Sequence, residues 1–66
     1  MKTEHKLILN RLLRVIGLLQ NSDKLLEAVF QNSMVRIVLK TGQDYFFDID
    51  NFDFDLYKEL LSKLKN

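Results

Sequence analysis

The chain has no cysteine, no proline and no tryptophan, only two glycines and a single histidine. Each shortage removes a class of protein. Without cysteine there are no disulfides, no thiolate metal ligands and no thiol nucleophile. One histidine cannot complete a histidine-based zinc site within one chain. The two glycines, Gly17 and Gly42, stand far apart, so there is no glycine-rich loop to cradle phosphate. Long hydrophobic runs are missing too. The apolar stretch from Leu7 to Leu19 is broken by Asn10, Arg11 and Arg14, which bars a bilayer span and a signal-peptide core. The expectation is a protein of the reducing cytoplasm with no membrane partner.

What is present is apolar and sparsely charged. Hydrophobic residues make up 47% of the chain, which is the composition of a folded protein rather than a disordered one. The net charge is +1, too small to imply nucleic acid or membrane by itself. The signs are segregated, however. Lys2, Lys6, Arg11 and Arg14 face only Glu4 in the first twenty residues, whereas 41–55 holds five aspartates and no cation. Residues 1–66 suit one small α+β domain. So short a chain buries only about 60% of its unfolded surface, and such domains often lean on disulfides, metal or association. With disulfides gone, efficient packing and association are what remain.

Apolar spacing predicts a helix over 4–20. Ile8, Leu9, Leu12, Leu13, Val15, Ile16 and Leu19 fill an arc of roughly 160°. Arg11 and Arg14 lie opposite, with Leu7 and Leu18 among them. "QNSD" at 20–23 supplies turn and cap formers that end it. Segment 24–31 reads as a strand with Leu26, Ala28 and Phe30 inward, although a helix fits its apolar residues almost as well. An Asn32-Ser33 turn would then set Phe30 against Val35, Ala28 against Ile37 and Leu26 against Leu39. "MVRIVLK" and "DYFFDID" alternate as the two further strands. A loop at Thr41-Gly42-Gln43 would pair Lys40 with Asp44 and Arg36 with Asp48 on the outer face.

A second helix is expected from Asn51 to Lys65, capped by Asp50 or Asn51. Its apolar arc holds Phe54, Leu56, Tyr57, Leu60, Leu61 and Leu64. The predicted architecture is α-β-β-β-α, a three-stranded antiparallel meander with the terminal helices packed mainly on one face. The alternative is α-α-β-β-α.

The segment "DYFFDIDNFDFD" invites a calcium reading. Asp48, Asp50 and Glu59 fall at the first, third and twelfth positions of an EF-hand-like loop. The fifth position is Phe52, which has no side-chain oxygen, and the sixth is Asp53 where a glycine must turn the chain. Structural roles as ion-pair partners, caps and helix-start charges account for these acids better, and no metal or other cofactor is expected.

Catalytic candidates are equally thin. His5 stands near the start of the first helix with no positioned partner in sequence, and Ser22 and Ser33 sit in turns. Tyr45 and Tyr57 are expected to bury their rings and leave their hydroxyls at the rim.

The surplus is apolar surface. With both helices on the inner face, Val29, Met34, Val38 and Phe46 are left on the outer one, while Leu7 and Leu18 lie outside the helix core. These six are the expected partner-binding residues. They suggest a small non-enzymatic protein–protein interaction module that self-associates, forming a homo-oligomer. It would act as a regulator or inhibitor of a larger protein, or as a subunit of an assembly. The alternative is a nucleic-acid-binding regulator using Lys2, Lys6, Arg11 and Arg14 on the basic face of the first helix.

Overall fold

The computed structural model describes residues 3–65. In chain order the elements are α1 (Thr3–Asn21), β1 (Leu25–Gln31), β2 (Met34–Leu39), β3 (Asp44–Asp48) and α2 (Phe54–Leu64). The strands form one antiparallel sheet in the order β1-β2-β3. This is the α-β-β-β-α meander; segment 24–31 is a strand, not a second helix. Lys2 lies outside the described residues.

One buried cluster joins every layer. It takes Leu12, Val15 and Leu19 from α1, Val35, Ile37 and Leu39 from β2, Tyr45 and Phe47 from β3, and Tyr57 and Leu60 from α2. Both helices therefore cover the same face of the sheet. The radius of gyration is 11.3 Å, close to the ~11 Å expected of a compact chain this long. Apolar side chains left outside are thus not the product of loose packing.

α1 ends in a Schellman motif. The Lys24 amide donates to Leu19 at 2.9 Å, the Asp23 amide to Gln20 at 3.1 Å, and Asp23 takes the left-handed φ of 58° usually given to glycine. Of the expected α1 core arc, Leu13 is exposed, and Leu9, though half-buried, is not among the residues packed on the cluster. An arc of roughly 160° is broader than the contact a helix makes on so narrow a sheet, and Leu13 falls at its margin.

The first hairpin turns at Asn32-Ser33, with Asn32 at φ 57°. Phe30 faces Val35 and Ala28 faces Ile37 as the alternation requires. Leu26 does not face Leu39. The register breaks between Leu25 and Glu27, so Leu25 takes the place opposite Leu39 and packs on the core while Leu26 is exposed. One extra residue in a strand inverts the alternation beyond it. Phe30, expected inward, is about half exposed: it lies near the end of an edge strand, beside the first hairpin turn and outside the buried cluster.

The second hairpin is shifted by two residues from the expected register. Ile37 faces Tyr45 and Val35 faces Phe47. The loop is Lys40-Thr41-Gly42, closed by the Leu39 amide donating to Gln43 at 2.8 Å. Gly42, at φ 95°, decides this. In a three-residue hairpin loop the left-handed position is the last one, so the glycine must close the loop rather than sit at its centre. A shift of two preserves which side chains point inward.

α2 starts at Phe54 rather than Asn51. Its cap is Asp53, whose carboxylate accepts from the amides of Asp55 and Leu56, both at 3.1 Å. Phe52, just before the cap, packs on Tyr57 with ring centroids 5.5 Å apart, a hydrophobic staple that sets the entry angle. Phe52 also stacks on Phe47 at 5.3 Å. It thereby takes the core position that the pattern assigned to Phe54, which is left half exposed on the first turn.

Candidate interaction surfaces

The outward side chains of the sheet form a three-by-three grid. Register sets Gln31, Met34 and Asp48 in one row, then Val29, Arg36 and Phe46, then Glu27, Val38 and Asp44. The corners are polar or acidic, the four positions between them are apolar, and Arg36 stands at the centre. Phe46 is 53% exposed, Val29 and Met34 each 37%, and Val38 is half-buried between its neighbours. Val29, Met34, Arg36, Phe46 and Gln31 line one shallow depression.

Arg36 organises this face. Its guanidinium lies 5.4 Å from the centre of the Phe46 ring and bonds both oxygens of Asp44, at 2.7–3.1 Å. The hydrogen bonds to Asp44 come first, then its charge, with a lesser pull from Glu27, in holding the guanidinium proton more tightly than usual. The same hydrogen bonds lower the Asp44 carboxyl. A partly exposed pair of this kind adds little stability. Its effect is to hold the guanidinium between Asp44 and the Phe46 ring.

The expected pairs Lys40–Asp44 and Arg36–Asp48 do not form, because the two-residue shift moves each acid along. Lys40 bonds Asp23 instead. Asp48 accepts the amide of Asp50 at 2.9 Å, shaping the turn after β3. Asp50, expected as a cap, lies 3.0 Å from His5 Nε2. The histidine therefore has a partner that its position in sequence did not suggest. The five aspartates of 44–55 thus serve an ion pair, a turn, the His5 contact, a cap and the first turn of α2. Among the described residues no three acidic or histidine side chains gather as a metal site.

A second apolar surface belongs to the helices. Leu7 and Leu18 are 56% and 47% exposed. Eleven residues is three helical turns, so Leu7, Arg11, Arg14 and Leu18 share one stripe of α1. Leu7, Ile8 and Arg11 border a groove with Glu4 and Phe54, at the N-terminal ends of both helices. Lys6, Arg11 and Arg14 are all exposed. Among the described residues, no helix is long and apolar enough to cross a membrane.

No protein-family model, no curated protein and no solved structure matches this chain.

Proposed function

We propose that this chain is a small non-enzymatic interaction module of the cytoplasm that self-associates and regulates, inhibits or assembles with a larger protein. The observation that carries this reading is the outer sheet face, where an apolar cross surrounds a guanidinium between four polar or acidic corners. Recognition surfaces favour that anatomy: aromatic residues, methionine and arginine at the centre, charge at the edge. Covering Phe46, Val29 and Met34 withdraws apolar area from water, and Arg36, already paired and stacked, loses little freedom in the process.

Sedimentation equilibrium from micromolar to millimolar concentration is the test. The expected result is an apparent mass rising above the 7.8 kDa of one chain, with Phe46→Asp abolishing the rise and leaving the circular dichroism spectrum unchanged. A wild-type protein that stays monomeric throughout removes the self-association half of the reading.

The nucleic-acid reading keeps one supporting observation, the common exposure of Arg11 and Arg14 on one helical stripe. It requires duplex binding that weakens steeply with salt and is lost in Arg11→Ala/Arg14→Ala. Absence of a mobility shift at low salt ends it.

A further inference from the structure

We propose that self-association is head-to-tail: the outer sheet face of one copy receives the Leu7–Arg11–Arg14–Leu18 stripe of α1 from the next. This inference rests on the self-association reading above and names its geometry.

Charge decides between the possible pairings. The sheet face carries three carboxylates, Glu27, Asp44 and Asp48, against the single cation Arg36. Two such faces docked on each other would set acid rim against acid rim. Like charges brought together across an interface suppress that pairing. The α1 stripe is the complement, with two guanidinium groups between two exposed leucines. The stripe, about 16 Å from Leu7 to Leu18 along the helix axis, is long enough to cross the grid, which spans about 13 Å along the strands and about 10 Å across them.

Strand-edge pairing is the weaker route. β1, at one edge, is interrupted by the irregularity between Leu25 and Glu27, and Glu27 lies on it. β3, at the other, is five residues long with an aspartate at each end. Bulges, charges and shortness are the features by which natural edges resist pairing.

α1 packs on the inner face of the sheet, and its stripe, about 100° round the helix from Leu12, Val15 and Leu19, lies on a different side of the molecule from the outer face. Two copies cannot satisfy both surfaces of each other. The contact is heterologous, and repetition gives a growing chain or a ring rather than a closed pair.

Two complementary variants test this by sedimentation velocity, at concentrations where wild type associates. Phe46→Lys disables the sheet face; Arg11→Glu/Arg14→Glu disables the helix stripe. All three substitutions lie at exposed positions, and circular dichroism verifies the fold of each variant. Each alone is expected to remain a monomer. Mixed in equal amounts they are expected to form a complex of about twice the single-chain mass and no larger, since each retains one working surface. If the helix variant associates by itself, the sheet faces pair with each other and the head-to-tail arrangement is wrong although self-association stands. Association of the sheet variant alone overturns it in the same way, through paired helices. Two monomeric variants that fail to combine also overturn it. A wild type that never associates removes both this inference and the reading beneath it.

Discussion

The Lys24 ammonium donates to the backbone carbonyl of Lys63 at 2.7 Å and approaches that of Leu64 at 3.4 Å. A side chain from the α1–β1 connection thereby satisfies the carbonyls at the far end of α2, where the helix dipole is negative. Lys24→Met keeps the aliphatic stem and removes only the charge and its donors. A loss of about 1–2 kcal/mol is expected, since hydrogen bonds from charged groups contribute more than neutral ones. Urea unfolding followed by circular dichroism reads it as a lower midpoint with unchanged slope. An unchanged midpoint would show that water serves those carbonyls equally well.

Gly17 lies inside α1, and a Cβ placed there meets nothing within 4 Å. The glycine is tolerated rather than required. Gly17→Ala is expected to stabilise the protein by about 0.5–1 kcal/mol through helix propensity. For a domain of this size that raises the thermal midpoint by several degrees. The opposite sign would reveal a close neighbour at this position.

Asp53 and Asp50 separate a true cap from an apparent one. Asp53→Ala removes the acceptor for two amides at the start of α2 and is expected to cost about 1 kcal/mol. Asp50→Ala loses only the exposed His5 contact and should cost well under half of that. Comparable losses from both would place the helix start earlier than Phe54.

Burial raises the Tyr45 hydroxyl above its usual range, with a smaller contribution from the charge of Glu59. A raised pKa means that the folded state holds the proton more tightly than the unfolded one. Its contribution is therefore complete below about pH 10, the unfolded value, and is lost as pH rises through the folded value. Unfolding midpoints should fall over that alkaline window in wild type, and fall less in Tyr45→Phe. Parallel curves for the two proteins would contradict this assignment.

By itself, the alternation of Val35, Ile37 and Leu39 with Arg36 and Val38 determined the inner and outer faces of the sheet. So did the spacing of Leu12, Val15 and Leu19 for the buried side of α1, and with it the surfacing of Phe46, Val29, Leu7 and Leu18. These are local periodicities, repeating every two residues in a strand and every three to four in a helix. They survive a strand shift of two unchanged.

Pairing between distant residues has no such protection. A slide of two residues, which the left-handed Gly42 settles at the hairpin loop, sets Phe46 rather than Asp48 opposite Arg36 and leaves Asp44 to meet it on the diagonal. Leu25 displaced Leu26 because one extra residue inverts a strand's alternation. Lys24 reached the end of α2 only because the sheet brings those two points together. Side-chain period belongs to the chain, whereas register and long-range capping belong to the packed whole, where loop geometry and backbone hydrogen bonding choose among arrangements that bury the same apolar residues.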